Sequence, residues 1–335
     1  MSEPANESSA PRTTTIEVRK PGLSTTIQDR GRSGYYHLGI PPSGALDQYS
    51  LAAANGLVGN GADSAALEIV YMGPELRFTG PAVVAVTGAG IAPRVNGSEH
   101  PLWESFEVAE GDVLDFDYLK AGARAYLAVS GGLDTRVDLG SRATYVIGSL
   151  GGVDGRPIAE GDVLPIGSGG SGRAGLVVPS QLRPAMSKDV EVRVVMGLYD
   201  HRLTDSGRAT FLDTTWTLTP VADRMGFRYG GGELETVDRE PPFGAGQDPS
   251  NIVDSPYPIG SIQVPGGVEP IVLHRDAVSG GGYMMVATVI SGDLDIVAQS
   301  APRTRTRFVD VDLDTALSIR ADRRRRIAAL HEALS

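Results

Sequence analysis

Short apolar segments separated by turn residues recur along most of the chain. Most are four to seven residues long, rich in β-branched residues and bounded by Gly, Pro or Asp, which is typical of β-strands. The pattern predicts strands at residues 14–18, 67–71, 83–87, 113–118, 124–129, 190–196, 214–218, 271–273, 285–290 and 295–299. We therefore expect a mainly β protein with few and short helices.

Two segments have a helical pattern instead. Residues 47–58 begin with Asp47, a good N-cap, and are followed by Gly59. On this helix Asp47 and Asn55 share a face, about 12 Å apart. Residues 314–334 form the second helix, whose predicted apolar stripe is Leu317, Ile327, Leu330 and Leu334. Its arginine run, residues 323–326, is interpreted as a solvated face.

The pattern also divides the chain. Residues 1–12 have no apolar periodicity and are expected to be a disordered leader. Two lobes follow at 13–180 and 188–312, and a C-terminal helix occupies 313–335. The Gly/Ser-rich and Pro-containing stretch 167–187 is the predicted linker. The two lobes are expected to meet near residues 175–190. A weak internal echo, with 28–32 resembling 222–228, suggests that each lobe uses an Asp-Arg corner.

The composition and net charge exclude or disfavour several classes of function. The chain has 30 Lys and Arg against 41 Asp and Glu, a net charge of −11, which disfavours binding to nucleic acid. The absence of cysteine excludes disulfides, thiolate nucleophiles and thiolate zinc sites. No apolar run approaches the roughly 20 residues that cross a bilayer, so no membrane association is expected. We expect a cytoplasmic protein.

The sequence lacks most of the common catalytic motifs. The three lysines do not complete a phosphate-binding loop or the context of a biotinyl lysine. The five histidines lack metal-ligand spacing, so no metal site is predicted. Residues 167–172 match the dinucleotide glycine pattern, but the residues after them are a poor helix start. We interpret this stretch as linker.

A dense polar cluster at residues 21–60 is the strongest candidate site. Its members are Asp29, Arg32, Ser43, Asp47 and Asn55, interspersed with glycines that let backbone approach a ligand. Carboxylate, amide and guanidinium groups suit a small amide or carboxylate substrate. The same residues also fit a structural interpretation, in which Asp29 and Arg32 form a buried corner pair and Asp47 only caps its helix.

The segment 21–60 resembles the opening signature of the biotin-dependent carboxyltransferase family. The family includes allophanate hydrolase-type second subunits, the C-type subunit of 5-oxoprolinase, the antagonist partner of the sporulation kinase inhibitor and the carboxyltransferase half of urea carboxylase. The likeness continues through Leu67-Glu68, Gly73-Pro74, 87–89, Asn96-Gly97, Gly131-Gly132, 140–144, 223–226, 260–283 and Ala298-Gln299. It covers nearly the whole chain.

The resemblance implies a fold of two cyclophilin-like β-barrel lobes. It also implies a separate first-subunit (B-type) partner and, in the 5-oxoprolinase setting, a third subunit. ATP is then used by the complex, and carboxybiotin is the cofactor in the carboxylase setting. The family commonly has two threonines where this chain has Ser279 and Gly280, so the identity of the substrate is left open.

Three functions are consistent with the resemblance. The main expectation is a subunit of an ATP-dependent 5-oxoprolinase, which hydrolyses 5-oxoproline to glutamate. The alternatives are the carboxyltransferase half of a urea or amide carboxylase, and a regulatory partner without turnover.

We expect the segments 21–60 and 260–283 to face one cleft. Arg32 is the predicted carboxylate anchor and Asp47 the proton-handling group, although a helix N-terminus should lower the pKa of Asp47. The predicted catalytic residues are Asp29, Arg32, Ser43 and Asp47, and the predicted substrate-binding residues are Asn55, Gln263, Ser279 and Tyr283.

Overall fold

The computed structural model describes residues 14–240, 243–248 and 250–335. The predicted disordered leader, residues 1–12, lies outside these described ranges. Within them the chain forms twenty strands and four α-helices. The predicted fold class, mainly β with few helices, is confirmed. No described helix is long and apolar enough to cross a bilayer.

The first lobe consists of two antiparallel sheets that share one apolar core. One sheet has the strand order β11-β1-β4-β9-β6-β7 and the other β2-β3-β10-β5-β8. Side chains from both sheets, such as Ile16, Phe78 and Leu127, are buried together between them. The strands are β1 (Thr15–Lys20), β2 (Ser24–Gln28), β3 (Ala66–Val70), β4 (Glu75–Phe78), β5 (Ala82–Gly88), β6 (Pro93–Val95), β7 (Ser98–Glu99), β8 (Ser105–Val108), β9 (Val113–Phe116), β10 (Arg124–Val129) and β11 (Val163–Pro165).

The second lobe is a closed barrel of seven strands, with the order β12-β19-β16-β17-β14-β13-β20. Parallel pairing of its first and last strands closes the barrel. A two-stranded ribbon, β15 with β18, forms a separate sheet. The strands are β12 (Asp189–Met196), β13 (Trp216–Ala222), β14 (Gly226–Gly230), β15 (Asn251–Pro256), β16 (Ser261–Gln263), β17 (Ile271–Leu273), β18 (Gly280–Tyr283), β19 (Met285–Val289) and β20 (Arg305–Asp310).

The two lobes differ in whether their strands close into a barrel. In the first lobe the edge strands β7 and β11 are only two and three residues long, and such short edges end a hydrogen-bond ladder. The described strands therefore leave this lobe as two facing sheets, whereas the second lobe is a complete barrel. The domain limits 13–180, 188–312 and 313–335 stay a prediction.

Helix α1 (Gln48–Leu57) covers the outer face of the five-stranded sheet. Its N-cap is Asp47, whose side chain accepts a hydrogen bond from the Ser50 N–H at 2.9 Å. Leu51 and Ala54 pack with Tyr126 of β10, so that β10 is buried on both faces. The predicted helix and its N-cap are confirmed.

Helix α4 (Leu313–Leu334) packs across α1. Leu330 and Leu334 are buried there, as the predicted stripe requires, and Ile327 is partly buried. Leu317 was expected in the same stripe, but it is 41% exposed. It lies more than three turns before Leu330, where the drift of an α-helix has turned it away from the contact with α1.

The sequence suggests that the arginine run of α4 is a solvated face, but two of its arginines contact other parts of the fold. The Arg323 guanidinium pairs with Asp295 at 2.6 Å. The Arg326 guanidinium lies over the Tyr49 ring, 4.6 Å from its centroid. These contacts attach α4 to two other elements of the fold.

Two further helices, α2 (Asp205–Asp213) and α3 (Leu294–Gln299), were not expected. The prediction of a strand at 295–299 is wrong, because these residues belong to α3. Leu294, Val297 and Ala298 pack together against the barrel core, and their i, i+3, i+4 spacing fits one face of a helix. Every other predicted strand overlaps an observed one.

The predicted linker, 167–187, packs against the first lobe over much of its length. The Gly172 N–H donates to Ser130 Oγ at 3.0 Å, and the Gly175 N–H donates to the Ser105 carbonyl at 2.7 Å. Val178 is fully buried. The stretch therefore covers the free edge of β8 as well as leading to the second lobe.

Candidate functional site

The glycine-rich corner after β2 is organised around Asp29. Its carboxylate accepts hydrogen bonds from the Gly31 N–H at 2.7 Å, the Ser141 hydroxyl at 2.7 Å and the Arg142 N–H at 2.6 Å. Three donors of the chain itself thus surround a carboxylate that is 6% exposed. This arrangement corresponds to the structural interpretation of Asp29, as a residue that fixes a corner.

The corner requires glycine at position 44. Two chain segments lie against each other here, since the Arg32 N–H donates to the Pro42 carbonyl and the Ala45 N–H donates to the Asp29 carbonyl. Gly44 has φ +81°, and a Cβ on it would lie 2.6 Å from the Gly31 nitrogen. A side chain at this position would force the two segments apart.

Arg32 is buried, with an exposure of 1%. Its guanidinium donates to the Ala143 carbonyl, while Nε and Nη1 have no partner among the described residues. Burial lowers the pKa of Arg32, although nearby Asp29 opposes this effect. The predicted anchor is thus enclosed by the corner.

Ser43 joins the corner to the second lobe. Its N–H donates to the Arg275 carbonyl at 3.0 Å, and its own carbonyl accepts from Arg275 Nε at 2.5 Å. The Ser43 hydroxyl is buried and has no partner within the described ranges. A second contact, from the Tyr36 hydroxyl to the Tyr257 carbonyl at 2.5 Å, joins the same two regions.

A buried ion network lies between the lobes and was not predicted. Arg224, from the turn between β13 and β14, donates to Glu68 Oε1 of β3 at 2.6 Å and to Asp276 Oδ2 at 2.7 Å. Burial alone would raise the pKa of Glu68, but Arg224 and Arg124 keep it below its ordinary value. Asp276 and Glu68 raise the pKa of Arg224 despite its burial. Glu68 and Arg224 are therefore a charged pair.

Tyr126 connects this network to the start of α1. Its hydroxyl donates to Glu68 Oε2 at 2.7 Å and accepts from the Asp47 N–H at 2.9 Å. Burial, with the nearby Glu68 carboxylate, raises the pKa of Tyr126 well above its ordinary value. The phenol is thus neutral and fixes the backbone of Asp47.

Among the described residues, the Asp47 carboxylate accepts hydrogen bonds only from neutral donors. Besides the Ser50 N–H it accepts from the Ser50 hydroxyl at 2.6 Å and from the Gln299 side-chain amide at 2.8 Å. Burial, together with the Asp295 carboxylate, raises the pKa of Asp47 to about 6. The expectation that the helix N-terminus lowers this pKa is therefore wrong, because loss of solvent and a neighbouring negative charge outweigh it.

Asp47 lines a cavity of about 340 Å³. The walls are the start of α1, the segment 184–187, β12, α3 and α4. The cavity is rich in charged side chains, namely Asp47, Arg193, Asp293, Asp295, Asp322, Arg323 and Arg326. A small, partly open cavity with a buried carboxylate of raised pKa is a common setting for proton transfer.

Asn55 lies at the other end of α1 from Asp47. Its side-chain amide donates to the Ser64 carbonyl at 2.9 Å, and its side-chain oxygen accepts from Asn60 at 3.2 Å. These bonds fix the chain that leaves α1, so the helix separates Asn55 from the cavity that Asp47 lines.

The other predicted binding residues lie in the second lobe. Gln263 is partly buried at the end of β16, and Tyr283 is 42% exposed on the ribbon strand β18. The Tyr257 hydroxyl bonds to the backbone of Tyr283, and the Ser279 carbonyl accepts from the Tyr257 N–H at 2.9 Å. None of these three residues lines the cavity of Asp47, so a single shared cleft stays a prediction.

Sequence reasoning missed the pairing of Glu68 with Arg224 and of Asp47 with Gln299. The first pair is 156 residues apart and the second 252. Each of the four residues does stand in a segment that carries the family resemblance. That membership was the only signal, since no local pattern joins residues so far apart.

Comparison with known proteins places the chain in one family. A family model described as carboxyltransferase domain, subdomain A and B, matches residues 38–310. Urea amidolyase of Saccharomyces cerevisiae is 33% identical over 92% of this chain but only 17% of that protein. The C-type subunit of 5-oxoprolinase from Escherichia coli is 33% identical over 92% of this chain and 96% of that protein.

Solved structures agree with this placement. The Kluyveromyces lactis urea amidolyase superposes with a TM-score of 0.90 at 33% identity, covering 96% of this chain and 20% of that one. The urea carboxylase of the same yeast gives a TM-score of 0.89 and covers 30% of that chain. The chain therefore spans about a fifth of the length of the urea amidolyases that it matches.

Proposed function

The chain belongs to the family of carboxyltransferase domains with subdomains A and B, and on that premise we propose that it is a subunit of a multi-component ATP-dependent 5-oxoprolinase. In such a complex 5-oxoproline is hydrolysed to glutamate. The observation that carries the proposal is coverage: 96% and 94% of two relatives, both C-type subunits of 5-oxoprolinase, align with this chain. The chain therefore aligns with nearly the whole of that subunit, rather than with one part of a larger protein.

In this proposal Asp47 accepts the proton of the substrate amide. Its pKa of about 6 leaves the carboxylate mostly ionised at neutral pH while keeping it basic enough to take a proton. As the proton leaves, the amide oxygen would attack the γ-phosphorus of ATP held by a partner subunit, and ADP would depart. Water would then open the phosphorylated ring, releasing phosphate, while Asp47 returns its proton to the leaving nitrogen. Asp29, Arg32 and Ser43 contribute by fixing the corner that precedes α1.

ATP would supply the free energy for opening a stable lactam. The glycine-rich stretch at 167–172 is the described loop that most resembles a phosphate cradle. It lines a groove together with Glu107, Asp112 and Asp134, whose carboxylates would repel a triphosphate. These residues do not fit ATP, so we assign ATP binding to a partner subunit.

The partners in this proposal are a first subunit of the B type and a third subunit, assembled in the cytoplasm. Gln263, Ser279 and Tyr283 remain proposed substrate contacts. Their position on and near the partly exposed ribbon also makes them accessible to a partner.

A second candidate function is the carboxyltransferase half of a urea or amide carboxylase. The high structural similarity to yeast urea amidolyase favours it. Carboxybiotin would present a carboxylate and a ureido carbonyl, for which Arg326 of the cavity is a suitable partner. Here Asp47 would take a proton from the urea nitrogen. A third candidate is a non-catalytic partner that only regulates the first subunit.

The test reconstitutes the chain with its first and third subunits and measures ATP-dependent release of glutamate from 5-oxoproline. Asp47→Asn should lower kcat by about 100-fold, within the range for loss of a general base. The matched control is Asp312→Asn, the same change at the exposed N-cap of α4, which should leave kcat unchanged.

The outcomes separate the three functions. Carboxylation of urea from a carboxybiotin carrier, without glutamate release, would establish the second candidate. Stable binding of the first subunit with neither activity would establish the third. Normal turnover by Asp47→Asn would remove Asp47 from the mechanism.

A further inference from the structure

Helix α4 forms one wall of the cavity that Asp47 lines. Arg323 and Arg326 of this helix, with Ile319, contribute to the lining. The family match ends at residue 310, and α4 begins at Leu313. The cavity is thus built partly by residues outside the segment that the family model matches.

Most charges that line the cavity are already paired. Arg193 pairs with Asp293 at 2.5 Å and Arg323 with Asp295 at 2.6 Å. Such pairs leave little charge for a ligand, because each guanidinium already faces a carboxylate.

Two lining groups, Asp47 and Arg326, make no ion pair among the described contacts. Asp47 has only amide and hydroxyl donors. The Arg326 guanidinium lies over the Tyr49 ring and donates from Nη2 to the Leu182 carbonyl at 3.0 Å. Arg326 also interacts with the Tyr49 hydroxyl. Because the side chain is exposed, its other guanidinium N–H groups are available to an acceptor.

We propose that this cavity binds a small lactam or amide that carries a carboxylate, with Asp47 accepting the N–H and Arg326 binding the carboxylate. The inference rests on the proposed function and identifies the residue of α4 that selects its substrate. A planar guanidinium binds a carboxylate through two parallel hydrogen bonds. The cavity volume of about 340 Å³ lies within the range of small-molecule sites.

The charge pattern also distinguishes the substrate from urea. Urea offers N–H groups to Asp47 but has no carboxylate for Arg326. Free urea would therefore leave this cation without a carboxylate, whereas a lactam acid or carboxybiotin would supply one. The proposal therefore predicts that the carboxylate of the ligand, and not only its amide, determines affinity.

The test measures binding to the full chain by isothermal titration calorimetry with two probes. The first probe is 5-oxoproline, and the second is 2-pyrrolidinone, the same lactam ring without the carboxylate. The wild-type chain should bind 5-oxoproline more tightly. Arg326→Gln should weaken 5-oxoproline by about 10- to 100-fold, as expected for loss of a charged hydrogen-bonded partner, and leave 2-pyrrolidinone unchanged.

Arg324→Gln is the matched control, since it makes the same change on the same helix at a residue that does not line the cavity. It should alter neither affinity. Because Arg326 also contacts Tyr49 and Leu182, its replacement can disturb the docking of α4. Equal loss of both probes in Arg326→Gln would show such a docking role and overturn the proposal, as would an absence of saturable 5-oxoproline binding by the wild-type chain.

Turnover separates this inference from the proposed function. In the reconstituted complex, Arg326→Gln should raise KM for 5-oxoproline by a similar factor. A complex that hydrolyses 5-oxoproline with an unchanged KM in this variant would retain the function and overturn the role of Arg326. Carboxylate-dependent binding without turnover would retain the site and overturn the function.

Discussion

Each lobe contains a corner in which an aspartate is followed by an arginine, and the two corners are locally alike. Asp29 Oδ1 accepts from the N–H two residues later at 2.7 Å, and Asp223 Oδ1 does the same at 2.8 Å. The following arginines differ. Arg30 has a side chain 61% exposed and lies 3.5 Å from Asp63, whereas the Arg224 side chain is 14% exposed between two carboxylates.

The two corners thus share the same turn geometry, although the arginine that follows the aspartate is exposed in one and buried in the other. The aspartate produces the same turn in both lobes, because its side chain satisfies a nearby backbone donor. How much the following arginine contributes to the stability of the protein depends on which residues of the other lobe lie opposite it. Arg224 meets Glu68 of β3, while Arg30 meets solvent and one exposed carboxylate.

Arg224→Ala against Arg30→Ala is the strongest test of this contrast. Arg224→Ala leaves Asp276 buried without its cation and Glu68 with only Arg124, 3.8 Å away. Breaking a buried pair in this way typically costs about 3–5 kcal/mol of unfolding free energy. Arg30→Ala removes an exposed pair worth less than about 1 kcal/mol. Urea denaturation of both variants measures the difference, and equal losses would contradict the contrast.

A conservative variant sharpens the same test. Arg224→Lys keeps the charge but cannot reach Glu68, Asp276 and the Gly44 carbonyl together, as the arginine fork does. It should fall between the wild-type protein and Arg224→Ala. A lysine variant as stable as the wild-type protein would show that charge alone suffices.

In the first corner we expect the backbone conformation, and not the arginine, to make the larger contribution to stability. Gly44→Ala places a Cβ 2.6 Å from the Gly31 nitrogen at a φ of +81°. We expect a loss of about 2–4 kcal/mol, from the left-handed conformation and the clash. Gly34→Ala is the control, since Gly34 has φ +96° but no atom within 4 Å of an added Cβ. It should lose about 1 kcal/mol, and thermal unfolding of both variants will show whether the close approach matters.

The sequence predicts those structural features that depend on residues close together along the chain. The α1 cap was predictable because Asp47 bonds to Ser50, three residues away. The strands were predictable from short β-branched runs. The same rule failed for α3, because Ile296 and Val297 favour strands locally while the spacing of Leu294, Val297 and Ala298 fits the barrel surface as a helix.

The site was less predictable, because its electrostatics depend on distant residues. The sequence places Asp47 at a helix N-terminus, which alone lowers the pKa of a carboxyl group. Asp295 comes from α3, nearly 250 residues later, and accepts from the Gln48 N–H at 3.0 Å beside Asp47. Residues of α4 form another wall of the cavity. No pattern along the chain shows either neighbour.

The smallest expected effect compares Asp47 with Glu68, which the second corner keeps ionised. Glu68 faces Arg224, whereas Asp47 faces Asp295, Ser50, Gln299 and the neutral Tyr126, with Arg323 engaged by Asp295. Since burial and Asp295 raise the pKa of Asp47 to about 6, the folded state binds this proton more tightly than the unfolded state.

Stability contributed at Asp47 is therefore present at low pH and is lost as pH rises from about 4 to about 6. Asp47→Asn removes this dependence, so the stability of the variant relative to the wild-type protein should increase by about 1–2 kcal/mol between pH 4.5 and pH 7. Asp312→Asn should keep a nearly constant difference from the wild-type protein over this range. Hydrogen bonds from Thr315 lower the pKa of Asp312, so its contribution is lost only as pH falls below about 4. Urea denaturation at both pH values measures the differences. Parallel curves for Asp47→Asn and the wild-type protein would show that Asp47 is solvated like an ordinary surface carboxylate, and the contrast with Glu68 would then disappear.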